Sequence, residues 1–126
     1  ASSTYGDNVV AALAGMGITG KKYVVDSSRN GSGPLTTADR PVASPWLDAV
    51  PIKDWCNPPN RRIGPTPGPV LTQPNCRATL WIKNAGDSDG NFPTLAQSTF
   101  YGESAPNAGQ LWVPFARNLV GLTPKP

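Results

Sequence analysis

The sequence predicts an α/β fold that is loop-rich and has few strands. Three observations predict it. A helix-spaced apolar stretch near the start leads through a glycine turn into a short β-rich run. A second β-rich run comes much later, and a second helical stretch follows it. Between these lie long segments of turn chemistry, for the 126 residues include 15 Pro and 13 Gly. With more than one residue in five of these two types, regular structure is necessarily sparse. The chain is still not a disordered one, since 38% of its residues are hydrophobic and four are Trp. Its length suits one domain with a modest core.

The elements follow in order. "YGDNVVAALAGMGI" places Val9, Val10, Leu13 and Met16 at helical spacing, and Gly15, Gly17 and Gly20 end the run. "KKYVVD" then reads as a short buried strand. Helix, turn, strand is half of an α/β unit. From Ser27 to Asn75 no element is predicted, because "SSRNGSGP", "NPPN" and "GPTPGP" are turn and loop sequences. A loop of that length in a compact domain is usually functional. "ATLWIK" is the second strand, with Leu80 and Ile82 on one face and Trp81 and Lys83 on the other. "AGQLWVPFARNLVGL" closes the chain as a helix, with Trp112, Phe115, Leu119 and Leu122 near one stripe. Pro114 suits a first helical turn, so the regular part starts near Val113. Trp81 and Trp112 are expected in the core.

Composition excludes several functions. The chain has no histidine. This removes Ser-His-Asp and Cys-His catalysis and the common zinc sites, and no metal or cofactor is expected. Any proton transfer then falls to carboxylates. The net charge of +3 is scattered, and "NRR" and "KK" are too short for a nucleic-acid footprint. No apolar run approaches 18 residues, so no membrane span is expected. Ala1 opens into polar sequence, with the expectation that any leader is already removed. Cys56 and Cys76 bracket a Pro-rich segment. A disulfide between them would close a loop of about 20 residues, stabilise by about 3 kcal/mol and imply export. The alternative is two thiols in a reducing compartment.

Both strands end in loops rich in Gly, Asp and Ser. In α/β folds reactive groups gather beyond the carboxyl ends of the strands. Asp26, Arg29, Lys83, Asp87 and Asp89 all lie there. Read alone, "DSDG" is an Asx turn, Arg29 and Lys83 are solvated loop charges, and Trp55 packs beside a cysteine.

Four blocks, "YVVDSSRNGSGP", "DWCNPP", "LWIKNAGDSDG" and "NAGQLWVPFARNL", occur in an order and spacing that resembles glycoside hydrolase family 6, the inverting cellulases. The resemblance runs from about Tyr5 to Leu122. It implies a partial (β/α) barrel of the family 6 cellulase type. Residues 1–126 would be the C-terminal portion of such a catalytic domain, because a complete (β/α) barrel needs about 250 residues. The family's general acid would lie upstream. Carried over residue by residue, Asp89 matches the proposed catalytic base. Lys83 matches the strand-end lysine that contacts sugar and base, and Arg29 the arginine that pairs with that base. Trp55 matches the glucosyl platform. Asp87 stands where a substrate-binding glutamate is usual, with a shorter side chain. The family often places a cysteine soon after Ser-Asp-Gly as partner to the Trp-Cys-Asn cysteine; here that region reads "GNFPTL", and Cys76 is the sole candidate. The Pro34–Lys53 stretch is longer than the family pattern. The implied activity is endoglucanase-type hydrolysis of β-1,4-glucosidic bonds with inversion, by a chain that is incomplete in isolation and secreted or exposed at the cell envelope. The implied partners are β-1,4-glucan or a cello-oligosaccharide, with either the missing N-terminal half or a second copy of the chain. The alternative is a non-catalytic glycan-binding or inactive remnant.

Overall fold

A computed structural model describes residues 2–34, 56–90 and 100–126. Helix α1 (Ser2–Gly15) leads into β1 (Tyr23–Asp26). Strands β2 (Gly68–Pro69) and β3 (Cys76–Leu80) follow, and α2 (Val113–Leu119) comes last. The three strands form one sheet in the order β1-β3-β2. β1 and β3 are parallel, with Val24 opposite Ala78 and Asp26 opposite Leu80. β2 is antiparallel to β3.

Both helices stop by the same device. Gly17 and Gly121 each adopt φ of +82°. In each case the glycine N–H bonds back to one carbonyl of the last turn, Ala14 or Asn118, and the next N–H reaches Leu13 or Arg117. This is the Schellman arrangement, in which a left-handed glycine satisfies carbonyls that the helix leaves open. Pro114 occupies the first turn of α2, as its missing N–H predicts. At the other end of the molecule, Asp7 of α1 accepts from the Tyr23 hydroxyl and from Asn75, each at 3.2 Å. One carboxylate thus ties the helix to the starts of both parallel strands.

Several expectations need correction. The second strand begins and ends earlier than "ATLWIK", at Cys76–Leu80. Its partner β1 stops at Asp26. Beyond Leu80, the backbone N–H groups of Ile82 and Lys83 donate to the Asp26 side chain instead of to a ladder. The two-residue β2 lies in the segment read as pure loop. Its proline sits on a strand with a single pairing, where a missing N–H is tolerated. Trp81 is not core: it is 44% exposed, with its indole N–H on the Pro65 carbonyl. Leu122 is likewise exposed, beyond the Gly121 turn. No disulfide joins Cys56 and Cys76. Cys76 opens β3 opposite Tyr23, whereas the Cys56 sulfur lies 4.0 Å from the Gly90 carbonyl, beyond the far end of that strand. Five strand residues separate the ends by about 13 Å, too far for a bridge. The inference of export from that bond falls with it.

Among the described residues the core is small and lies around α2 rather than under the sheet. Tyr101, Trp112, Phe115 and Leu119 are fully buried and pack together. The Tyr101 ring sits 4.6 Å from that of Trp112 and edge-on to Phe115 at 5.8 Å. Burial pushes the Tyr101 phenol well above its ordinary value, and its hydroxyl donates to the Pro58 carbonyl.

Candidate active site

The segment 86–90 carries the two neighbouring aspartates, and it is held from both sides. On one side it runs antiparallel to 109–112. Asp87 bridges Leu111, the Ser88 N–H bonds the Gln110 carbonyl, and the Trp112 N–H bonds the Gly86 carbonyl. Ser88 is fully buried; its hydroxyl donates to the Pro106 carbonyl at 2.7 Å and accepts from the Gly90 N–H at 3.0 Å. This pairing fixes the aspartates to the start of α2 and its aromatic core.

On the other side stands Asn57. Its side-chain amide donates to the Asp87 carbonyl at 3.0 Å and accepts the Asp89 N–H at 2.6 Å. It therefore pairs with the strand-like segment as a backbone peptide would. Its own main-chain N–H donates to Asp89 Oδ2 at 3.0 Å. Asn57 is completely buried with φ of +39°. Asparagine is among the few side chains that tolerate that region.

The Asp89 carboxylate is then gripped by two cations. Arg29 Nη1 lies 2.7 Å from Oδ2 and Lys83 Nζ lies 2.8 Å from Oδ1. The Asp89 and Arg29 side chains are 9% and 16% exposed, against 42% for Lys83. The lysine thus reaches in from the solvent side of an otherwise enclosed pair. Arg29 is held by four neighbours. Its Nε donates to the Ala85 carbonyl at 2.8 Å, its Nη2 donates to the Asp87 carbonyl, and its guanidinium carbon lies 4.6 Å from the centre of the Phe115 ring. The planar fork suits this task, since each nitrogen has its own acceptor.

Burial opposes ionisation of Asp89. The hydrogen bond from Lys83, the Asn57 N–H and the charge of Arg29 outweigh it and hold the carboxyl below its ordinary value. Asp89 is therefore an anion at neutral pH. The arrangement can take a proton from a water molecule beside it, but as a weak base.

The structure thus brings Asp89, Lys83 and Arg29 into one cluster, as the sequence predicts. Asp87 is next to it, and its visible part in the cluster is its carbonyl, which accepts from both Arg29 and Asn57. Trp55, residues 35–53 of the extended stretch and the residues immediately after Gly90 lie outside the described residues. Among the described residues, no group of three or more His, Cys, Asp or Glu side chains converges as a metal site, and no helix is long and apolar enough to cross a membrane. Asn57 and Ser88 carry no assigned role in the sequence reading. The available signal for Asn57 was its type alone, since asparagine is among the few residues enriched at positive φ, whereas a following proline by itself favours extended backbone.

Comparison with known proteins now bears on this geometry. The profile for glycosyl hydrolases family 6 matches residues 1–122. The chain belongs to glycosyl hydrolase family 6. It is 31% identical over 119 residues to endoglucanase A of Cellulomonas fimi, covering 94% of this chain and 19% of that protein. It is 37% identical over 98 residues to endoglucanase 1 of Streptomyces halstedii, covering 78% of this chain and 24% of that one. Among solved structures, the GH6 enzyme of Orpinomyces sp. Y102 matches with a TM-score of 0.64 and 27% identity, over 92% of this chain and 32% of its own. The endoglucanase Cel6 of Mycobacterium tuberculosis, solved with methyl-cellobiosyl-4-deoxy-4-thio-β-D-cellobioside, matches with a TM-score of 0.57 and 32% identity, over 90% and 31%. The chain spans less than a quarter of these two curated relatives and about a third of the solved chains. The family 6 fold is therefore represented by a small part. The described residues form a three-stranded sheet, the helix α1 beside it and the separate helix α2, and no closed barrel.

Proposed function

We propose that the chain carries the base-side half of the active site of an inverting β-1,4-glucan hydrolase of endoglucanase type. Residues 1–126 are the C-terminal portion of its catalytic domain. In this reading Asp89 accepts a proton from the water that attacks the anomeric carbon. Lys83 and Arg29 keep it ionised and aimed, and Trp55 offers an apolar ring to the C–H face of a glucosyl unit. Asp87 binds sugar hydroxyls. A carboxylate this well solvated by donors is a weak base, so the proton leaves along water to it rather than by a strong direct pull.

The observation that carries the reading is the double cation grip on Asp89, at 2.7 and 2.8 Å. It supplies an ionised carboxylate in a fixed place, as the water-activating side of an inverting site requires. A general acid needs the opposite environment, one that raises its pKa. Asp26 and Asp89, the two carboxyls that the described surroundings move, are both moved down. That supports an acid supplied by another part of the catalytic domain, on this polypeptide or a second one.

Three measurements test this. The isolated chain is expected to be inactive or very weak on carboxymethylcellulose; hydrolysis near the rate of a complete family member contradicts the incomplete-site reading. Combined with an upstream, acid-bearing segment, it is expected to release cello-oligosaccharides that are first seen by proton NMR as the α-anomer. Initial β-anomer would exclude inversion. Titration of the isolated chain with cellotetraose, followed by Trp fluorescence, is expected to saturate and to lose its response in Trp55→Ala. A response without any hydrolysis in the combined system would favour a glycan-binding remnant.

A further inference from the structure

Asp26 is left without a role by the reading above, yet its carboxylate faces the backbone of both cation-bearing segments. Oδ1 accepts from the Ser28 N–H at 3.0 Å and from the Ile82 N–H at 3.3 Å, and Oδ2 accepts from the Lys83 N–H at 3.2 Å. Ser28 directly precedes Arg29. One side chain at the end of β1 therefore bonds to the entry of the Arg29 turn and to the peptide of Lys83 itself.

We propose that Asp26 is a positioning residue that sets Arg29 and Lys83 at the spacing needed to grip Asp89. The sheet itself does not supply that spacing. The ladder between β1 and β3 ends at the Asp26–Leu80 pair, so neither Arg29 nor Lys83 lies on a paired strand. The Ser27 N–H still reaches the Leu80 carbonyl at 2.8 Å. Just after it, the Asp26 carboxylate takes donors from both departing chains, the Ser28 N–H on one and the Ile82 and Lys83 N–H groups on the other. It thus fixes their spacing where they leave the sheet, before Arg29 reaches across to the Ala85 carbonyl. Lys83 depends on this most. Its side chain is 42% exposed, against 16% for Arg29, which the Phe115 ring and the Ala85 carbonyl also hold.

This inference concerns the same site as the proposed function, but its test needs no substrate, so the two fail separately. The Asp89 carboxyl is titrated by carbon-13 NMR in the full chain, as wild type, Asp26→Asn and Asp7→Asn. Asp7→Asn weakens the strand starts at the opposite end of the sheet and reports on a merely structural loss. In Asp26→Asn the amide group presents a donor where the N–H groups need an acceptor. Lys83 then loses its anchor, and the Asp89 pKa rises toward the ordinary value of about 3.9. The direction is diagnostic, because removing a neighbouring negative charge would by itself lower that pKa. Asp7→Asn leaves Asp89 titrating as in wild type. Should Asp26→Asn not fold, Asp26→Glu carries the test: a carboxylate one methylene further out displaces the Lys83 peptide, and Asp89 again titrates higher. An Asp89 pKa equal to or below that of wild type in a folded Asp26 variant overturns the proposal, as does an equal rise in Asp7→Asn.

Discussion

The two ends of the molecule are finished to different degrees. Around α2, four large side chains are fully buried, and the polar residues beside them, Ser88, Asn57 and Asn118, are buried and hydrogen-bonded. Around α1 and β1 the apolar residues remain open. Tyr5 is 74% exposed, Met16 75% and Val24 48%. A groove of about 540 Å³ runs between the helix and the strand, lined by Tyr5, Val9, Leu13, Val24 and Val25. The site sits at the closed end. There Arg29 and Asp89 are enclosed and hydrogen-bonded to the loops that pair with the start of α2. The difference teaches that the geometry of the Asp89 cluster rests on α2 and the loops paired with it, while β1 and α1 supply the Asp26 end and an exposed apolar face.

Substitutions at the two ends sharpen or break that comparison. The largest expected effect is Arg29→Ala. It strips Asp89 of its buried partner, takes the donor from the Ala85 carbonyl and removes one of the two donors to the Asp87 carbonyl. It is expected to cost about 3–5 kcal/mol, read as the denaturant midpoint. Phe115→Ala should lie in the same range, about 3–5 kcal/mol, through loss of core packing and of the ring under the guanidinium. Next comes Asn57→Ala. It leaves the Asp89 N–H without its acceptor and removes one of the two donors to the Asp87 carbonyl, for about 1–3 kcal/mol. At the open end Val24→Lys is expected to shift stability by less than about 0.5 kcal/mol. A loss there as large as that at Arg29 would mean that the two ends fold as one unit and that the comparison is mistaken. Val24→Lys should also lower any self-association seen by sedimentation, since it places a charge on the open apolar face.

Acid sharpens the same contrast. The Asp89 carboxyl is held below its ordinary value in the folded chain. Its stabilising contribution is complete above the unfolded value of about 3.9 and is lost as pH falls through the lower folded value. Stability measured against pH is expected to fall below about pH 4 in wild type and to fall less steeply in Asp89→Asn. Equal slopes would mean that the cation grip contributes nothing to folding.

Much of this was legible in the sequence, and the rest was not for physical reasons. Periodicity placed α1, and Pro114 fixed the start of α2. The β-rich runs gave β1 and most of β3. The end of β3 was hidden because a side chain, Asp26, takes over backbone donors that a strand would have used. Trp81 looked like core because its type is usually buried, but it lies just past the end of β3 and stays 44% exposed. The two-residue β2 has no periodicity to detect. The expected disulfide failed because loop closure was judged from sequence separation, whereas Cys76 opens β3 and Cys56 lies past its other end. Arg29, Lys83 and Asp89 were readable from the family blocks and their place after strand ends. Asn57 was not, since its part depends on a left-handed backbone that lets one amide pair with two peptides of a distant loop.

The central claim is that Asp89, held by Arg29 and Lys83, is the water-activating carboxylate of a β-1,4-glucan hydrolase. It is tested most directly by joining this chain to an acid-bearing upstream segment and comparing wild type with Asp89→Asn on a soluble cello-oligosaccharide. Hydrolysis by the wild-type combination, lost in the folded Asp89→Asn combination while oligosaccharide binding persists, is the predicted result. Equal hydrolysis by both would contradict it.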